Sequence, residues 1–148
     1  PFVNGELAYV EFANRHSHRK YSSGVIFVQL LSQIKVDLMD HVTVEQYCLS
    51  MPNAYLDYPF GEDVAVYKVP VDGEGKMFAL IPEKSDPVSI SLKCDPLLAI
   101  TLRERYESVM PGYHLNKKHW NSIVLSGQLS WEELQDLIKH SYQLVAGI

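Results

Sequence analysis

The sequence predicts an α+β fold, a two-layer sandwich in which helices cover one face of an antiparallel sheet. Three short strand-like runs follow one another between residues 64 and 93, which is typical of an antiparallel meander. Helical segments with clear start signals lie before and after these runs. Runs of strands with helices between them favour this layered class. The predicted order of elements is α-β-β-β-α-β-β-α, preceded by an N-terminal extension.

The first helix of the main domain is predicted to begin at Thr43. Thr43 and Gln46, three residues later, have the pattern of a capping box, and Pro52 ends the helix. Residues 55–61 follow and are rich in aromatic and turn-forming side chains. This segment, the aromatic turn, is therefore predicted to lack regular secondary structure.

The three central strands are predicted at residues 64–69, 76–81 and 88–93. The first is short and rich in β-branched side chains. The third alternates strictly between apolar and polar residues, which is typical of a half-buried strand. Between the first two strands, Asp72–Gly75 supplies residues that tolerate positive φ, so a hairpin turn is predicted there.

The second half of the chain carries equally clear signals. Asp95-Pro96 predicts a helix start, because Asp is a good N-cap and Pro suits the first helical position. Pro111-Gly112 breaks the chain, and residues 120–125 form a β-prone run. A capping box over Ser130–Glu133 predicts a last helix, with Gly147 as its stop.

Residues 1–41 are interpreted as an N-terminal extension and residues 42–148 as the main domain. The extension has strand-like alternation over 6–12, a basic, histidine-rich loop over 14–20, and the spacing of an amphipathic helix over 25–38. It is interpreted either as non-native or as a dimerising arm. The protein is accordingly expected to be a monomer or a homodimer.

The composition is that of an ordinary globular protein, with 47% hydrophobic and 21% charged residues. The net charge of −5 excludes the general basic excess of a protein that coats nucleic acid, but it allows a local basic patch. No apolar run is long enough for a membrane span and no signal-peptide pattern is present, so a cytoplasmic protein without membrane contact is expected. Cys48 and Cys94 are far apart and are expected to be reduced and semi-buried.

Residues 111–121, the 111–121 loop, are the strongest candidate for a binding surface. They combine two lysines, two histidines, two asparagines, a tyrosine and a tryptophan. Lysines neutralise phosphates, asparagines contact base edges or phosphate oxygens, and aromatic rings stack on bases or wedge a groove. Neighbouring cations extend the patch. Eleven residues are therefore predicted to bind nucleic acid: Lys93, Arg103, Arg105, Tyr113, His114, Asn116, Lys117, Lys118, His119, Trp120 and Asn121.

A second interpretation of the same loop remains open. Tyr113, Leu115 and Trp120 would then anchor a hairpin in the core, and the lysines would be ordinary surface charges. A continuous basic stripe around the lysines would favour nucleic acid. An apolar groove rimmed by acidic residues would favour a protein or small-molecule ligand.

Catalytic and metal sites find little support. His114 and His119 have the chemistry of general bases, and acidic residues cluster over 57–63. Yet the sequence has no GxSxG, HExxH, P-loop or GxGxxG motif. His16 and His18 have no further metal ligands nearby in the sequence. The protein is therefore expected not to be an enzyme and to need neither a metal nor a cofactor.

Several blocks of the sequence resemble the MmcQ/YjbR family of small bacterial proteins. The matching blocks are Cys48–Pro52, Asp57–Gly61, Lys76–Ala79, Ser91–Pro96, Pro111–Asn121 and His140–Tyr142. The resemblance covers residues 42–146 and leaves out residues 1–38. It implies an α+β fold akin to frataxin and to type III secretion chaperones. It also implies a DNA-binding protein with a double-wing arrangement and no enzymatic activity.

The predicted function is therefore a non-enzymatic binding module that contacts DNA phosphates through the 111–121 loop. The alternative is a protein- or small-molecule-binding domain of the chaperone-like type.

Overall fold

The computed structural model describes residues 23–37 and 39–148. The chain divides into two compact units, Pro1–Lys35 and Val36–Ile148. The domain boundary predicted after residue 41 stays a prediction.

Helix α1 (Ser23–Asp37) confirms the helix predicted near the end of the extension. The strand predicted over 6–12 and the basic loop predicted over 14–20 lie outside the described residues. None of the helices in the described ranges combines the length and apolar character that a membrane crossing requires.

Helix α2 (His41–Leu49) begins at a different cap from the predicted one. The Asp40 carboxylate accepts a hydrogen bond from the Thr43 N–H at 2.7 Å, and this bond lowers the pKa of Asp40. The helix is confirmed, but the capping box predicted at Thr43 is wrong. An ionised carboxylate is a stronger acceptor for the free N–H groups of a first turn than a threonine hydroxyl, so the helix begins at Asp40.

Six strands form one open antiparallel sheet in the order β1-β2-β3-β4-β6-β5. The strands are β1 (Tyr55–Asp57), β2 (Val64–Val71), β3 (Glu74–Pro82), β4 (Ser89–Lys93), β5 (Val109–Pro111) and β6 (Trp120–Val124). The predicted α+β class is confirmed. Strand β1 is an addition to the predicted order, because the aromatic turn begins with three residues that pair with β2 at the sheet edge. Three residues are too few to show a period-two pattern.

Two further helices follow the predicted start signals. Helix α3 (Pro96–Arg105) is capped by the Asp95 carboxylate, which accepts the N–H groups of Leu97 and Leu98. Helix α4 (Trp131–Ala146) has the predicted capping box at Ser130 and ends at Gly147 in the left-handed conformation, with φ of 76°. Both starts and the final stop are therefore confirmed.

The main core lies between the sheet and helices α2 and α4. Its fully buried side chains include Val44 from α2, Ile138 from α4, and Tyr67 and Ile90 from the sheet. Each large apolar side chain removed from water stabilises the fold by about 1.5–3 kcal/mol. The buried Ser141 hydroxyl joins α4 to the sheet.

The Ser141 contact uses an irregularity in β3. The partners of Tyr67 and Lys68 are Ala79 and Met77, so Phe78 is an extra residue that bulges out of the ladder. The Ser141 hydroxyl donates to the Phe78 carbonyl at 2.6 Å and accepts the Lys93 N–H at 2.8 Å. One hydroxyl thus fixes α4 against both β3 and β4.

Both cysteines are free and buried. Burial raises the pKa of Cys48 to about 12 and that of Cys94 to about 11. Because the thiolate is the reactive form, both side chains behave as small apolar residues. The prediction that they are only semi-buried is wrong, since both lie among the buried residues of the core.

Candidate nucleic-acid interface

The 111–121 loop connects the last two strands of the sheet at its β5 edge. Pro111 and Asn121 face each other as strand partners, and the Gly112 N–H donates to the Trp120 carbonyl at 2.8 Å. The loop is therefore a hairpin connection whose two ends are tied together by the sheet.

Glycine is required at position 112 by close packing. Gly112 is buried, and a Cβ added there would lie 2.7 Å from the Trp120 Cβ and 3.1 Å from the Trp120 carbonyl oxygen. Neither atom is the flexible end of a side chain. The loop closes at this point only because the residue has no side chain.

Asn116 organises the tip of the loop from within. Its side-chain oxygen accepts the Lys118 N–H at 2.9 Å. Its carbonyl accepts the N–H groups of His119 at 3.3 Å and Trp120 at 3.0 Å. Asparagine commonly stabilises turns by bonding to the backbone two residues ahead. The structure therefore gives Asn116 a role in loop shape, whereas the sequence predicted a ligand contact.

Arg103 fixes the loop from helix α3. Its Nε donates to the Asn121 side-chain oxygen at 2.6 Å, and its Nη2 donates to the carbonyls of Trp120, at 3.2 Å, and of Lys117. Asn121 is only 1% exposed, and its amide donates to the Ala99 carbonyl at 3.3 Å. This arrangement satisfies a buried amide that would otherwise be costly to leave unpaired. Arg103 and Asn121 thus form the support of the loop.

The two adjacent lysines have different environments. The Lys117 ammonium donates to the Gly112 carbonyl across the loop. Lys118 is exposed, and no hydrogen bond or ion pair joins its ammonium to another described residue. Within residues 23–37 and 39–148, no carboxylate lies within ion-pair distance of Arg103, Lys117 or Lys118.

The cations of this loop are therefore bonded to carbonyl dipoles or to nothing in the described chain, and no described carboxylate cancels their positive charge. This distinction decides what the loop attracts. A carbonyl oxygen satisfies a donor but removes no net charge, whereas a carboxylate does.

Tyr113 and His114 are adjacent exposed residues of the loop. The Tyr113 side chain is 74% exposed, and its ring centroid lies 4.0 Å from that of His114, with the planes inclined at 57°. His114 has φ of 55°, in the left-handed region that few residues other than glycine adopt. The Tyr113 N–H donates to the Ser122 hydroxyl at 3.0 Å.

Trp120 lies in the interior. It is 7% exposed and packs with Val66 and Leu80 in a second apolar cluster, to which Leu115 adds. Its ring therefore offers no open face for a base. The second interpretation of the loop predicted this core role for Trp120 and Leu115. It predicted the same role for Tyr113, which is exposed instead.

The remaining predicted residues flank the loop. Lys93 on β4 is the strand partner of Trp120, and the Arg105 guanidinium lies 5.3 Å from the centre of the neighbouring Tyr106 ring. His119 is half-buried, and its carbonyl accepts the Cys94 N–H at 2.7 Å. Of the eleven predicted residues, six are exposed: Arg105 on α3, and Tyr113, His114, Asn116, Lys117 and Lys118 on the loop.

Ser122 also supports the loop, although the sequence did not predict this role. Besides accepting the Tyr113 N–H, its hydroxyl lies 2.7 Å from that of Ser91 on β4. A serine in a strand has no local signal for such a contact, because both partners are distant in sequence or lie across the sheet.

Two of the acidic residues over 57–63 lie against lysines. Asp57 is paired with Lys68 at 2.6 Å, and Asp63 lies 3.7 Å from Lys84 at the surface. Within the described ranges, no group of three histidine, cysteine or acidic side chains is arranged to hold a metal ion. His16 and His18 lie outside those ranges.

The sequence is similar to several bacterial proteins. The YjbR family model matches residues 49–144. The chain is 38% identical over 105 residues to the uncharacterised protein YbdF of Escherichia coli O157:H7, a match covering 71% of this chain and 83% of YbdF. It is 35% identical over 98 residues to the uncharacterised protein YjbR of Escherichia coli K12, covering 66% of this chain and 80% of YjbR.

Two solved structures share the fold. The Deinococcus radiodurans protein DR2400, with a DUF419 domain, has a TM-score of 0.67 and 37% identity over 70% of this chain and 76% of its own. A Pseudomonas syringae protein has a TM-score of 0.61 and 30% identity over 72% of this chain and 99% of its own. Because the family model covers well over half of the residues and the sequence relatives exceed 30% identity, the resemblance predicted from the blocks is confirmed, and the chain belongs to the YjbR family.

Proposed function

We propose that this protein is a non-enzymatic binding module that contacts the phosphates of DNA through the 111–121 loop. The observation that carries the proposal is the state of the loop's cations. Arg103 and Lys117 donate to backbone carbonyls, the Lys118 ammonium has no partner among the described residues, and no described carboxylate neutralises any of the three.

Phosphate attraction follows from this arrangement. Three positive charges within one short hairpin and its supporting helix create a local positive potential on a chain whose net charge is −5. The hydrogen bonds from Arg103 to Asn121, Trp120 and Lys117, the Arg103 clamp, hold the loop in place together with the turn at Asn116. Little conformational entropy is therefore lost on binding. We expect Lys118 to contact a phosphate directly, and Arg103 and Lys117 to add to the positive potential around it.

The expected binding is weak and strongly salt-dependent. Few phosphates are contacted, and the rest of the surface is acidic. The two buried, free cysteines fit a cytoplasmic setting, which is part of the proposal.

Titration of a fluorescently labelled 20-base-pair DNA duplex, followed by anisotropy between 50 and 200 mM salt, tests the proposal. Lys118→Ala is expected to weaken binding alike for unrelated sequences. It should also reduce the slope of log affinity against log salt by about one, because one phosphate contact is lost. Lys84→Ala is the matched control, since Lys84 is an exposed lysine on the β3–β4 connection.

Absence of binding at 50 mM salt, both to this duplex and to a single strand of the same sequence, would overturn the proposal. So would an equal effect of the two substitutions, because the attraction would then come from the surface in general.

A second candidate, a chaperone-like protein-binding module, is favoured by an apolar strip on α3. Leu97 and Ile100 lie three residues apart on this helix and are 78% and 50% exposed. Suppression of the aggregation of a heat-unfolded model protein, abolished by Leu97→Glu with Ile100→Glu, would support this candidate. No suppression by the unmodified chain would remove it.

A further inference from the structure

Tyr113 is the most exposed of the large apolar and aromatic side chains on the 111–121 loop and the strands beside it. It is 74% exposed, compared with 42% for Met110 and 7% for Trp120. A single exposed ring is common on protein surfaces and needs no explanation by itself. Here three further features distinguish it.

The first feature is a fixed backbone on both sides of the ring. The Tyr113 N–H is bonded to Ser122, and the preceding residue, Gly112, is buried against Trp120. The following residue, His114, is held in the left-handed conformation. Such a conformation persists in a residue other than glycine when the surrounding structure enforces it. The ring therefore projects from a preorganised position.

The second feature is the neighbouring imidazole. The ring centroids of Tyr113 and His114 are 4.0 Å apart, so the two rings support each other. The histidine restricts the tyrosine on one side, and the high exposure of Tyr113 shows that much of its surface still faces solvent.

The third feature is the proximity of positive charge. The Lys117 ammonium is bonded to the carbonyl of Gly112, the residue next to Tyr113, and is not neutralised by a described carboxylate. An exposed ring and a cation that no described carboxylate neutralises, on the same short loop, match a nucleotide with an accessible base, since the base can stack while its phosphate lies near the cation.

A DNA duplex offers no such base. Its bases are already stacked and paired, and strong duplex binders make about 6–10 phosphate contacts, whereas the loop and Arg103 provide three cations. Wedges that open a duplex are typically Phe, Leu, Ile, Met or Pro, and the candidate wedge Trp120 is buried. The available chemistry therefore favours a strand whose bases are already exposed.

We infer that the 111–121 loop binds single-stranded DNA in preference to duplex, with an unpaired base stacked on Tyr113 beside the lysine charges. This inference rests on the proposed function and specifies the ligand of the same site.

The experiment compares a labelled 20-nucleotide strand with the duplex of the same sequence at 50 mM salt. The single strand is expected to bind about tenfold more tightly, and Tyr113→Leu is expected to remove about that factor, because one base–ring stack is lost. Tyr113→Phe, which keeps the ring, should bind within about twofold of the unmodified protein.

Phe60→Leu is the matched control. Phe60 is also an exposed aromatic residue, at 63%, but it lies in the aromatic turn next to β1, at the opposite edge of the sheet. Its substitution should leave single-strand affinity unchanged. Thermal unfolding should show that Tyr113→Leu remains folded, since the side chain is mostly in solvent.

The outcomes separate this inference from the proposed function. Equal affinity for single strand and duplex, with no effect of Tyr113→Leu but a clear effect of Lys118→Ala on both, overturns the inference and leaves phosphate binding intact. Failure of both DNA forms to bind at 50 mM salt overturns both.

Discussion

The aromatic turn and the 111–121 loop lie at the two outermost strands of the same sheet, and they differ in how their charged side chains are paired. In the aromatic turn, Asp57 is paired with the Lys68 ammonium at 2.6 Å, so the two charges cancel. In the 111–121 loop, Lys117 and the supporting Arg103 donate to backbone carbonyls.

This difference separates charges that are neutralised within the fold from charges that can still attract a ligand. An ion pair stabilises its surroundings and cancels its own field, so it attracts no further ion at a distance. A cation bonded to carbonyl oxygens also stabilises its surroundings, but it keeps its unit charge. The 111–121 loop therefore gains rigidity and an anion-attracting field from the same side chains.

The largest expected effect is the loss of the Arg103 clamp. Arg103→Ala removes three hydrogen bonds with a charged donor and leaves the buried Asn121 side-chain oxygen without its partner. Because bonds to charged groups contribute about 1.5–3 kcal/mol and an unpaired buried group adds a penalty, we expect a loss of about 3 kcal/mol of unfolding free energy. Urea denaturation measures this loss.

Arg105→Ala is the control for this substitution. Arg105 is an exposed arginine two residues away, with a contact to the Tyr106 ring, so its loss should cost below about 1 kcal/mol. Equal costs for the two arginines would show that the clamp does not hold the loop.

A pair of glycine substitutions gives a smaller effect and compares the two regions directly. Gly112→Ala should cost about 2 kcal/mol of unfolding free energy, because the new Cβ meets the Cβ and the backbone of Trp120. At Gly75, a new Cβ would meet the Tyr55 hydroxyl, the end of a partly exposed side chain that can turn away.

Gly75→Ala should therefore cost clearly less than Gly112→Ala when both are measured by thermal unfolding. A larger cost at position 75 would mean that β1 and its tyrosine are the more rigid region, which would reverse the comparison.

The sequence predicted those parts of the fold that depend on neighbouring residues. The Asp95 cap, the Ser130 capping box and the Asp72–Gly75 turn each involve residues within three or four positions, and the structure contains all of them. Strand β1 was not predicted, because its pairing with β2 depends on residues nine or more positions away.

The candidate site was predicted as a segment but not as an arrangement of side chains. The composition of residues 111–121 drew attention to the loop. Which side chains point inward depends on contacts such as Arg103 with Asn121, eighteen residues apart, and on strand register, which sends Trp120 and Asn121 to opposite faces of β6. The alternation is visible in local sequence, but the distant groups that each face meets are not, so Arg103, Trp120 and Asn121 were predicted to contact a ligand.

The smallest expected effect is a difference in acid sensitivity between the two regions. The hydrogen bond from Lys68, followed by that from the Tyr58 N–H, holds the pKa of Asp57 below its ordinary value. A lowered pKa means that this contribution to stability is fully present above the pKa of the unfolded chain, about 3.9. It is lost as the pH falls from there through the lower folded value. The stability difference between the unmodified protein and Asp57→Asn should therefore be present at pH 6 and smaller at pH 3.

The corresponding difference for Arg103→Ala should persist between pH 6 and pH 3, because arginine and carbonyl oxygens do not change protonation in that range. Urea midpoints of the three proteins at the two pH values measure both differences. If the Arg103→Ala difference fell with acid in parallel with the Asp57→Asn difference, a carboxylate would have to be part of the Arg103 clamp. The loop's positive charge would then be cancelled in the same way as that of Lys68.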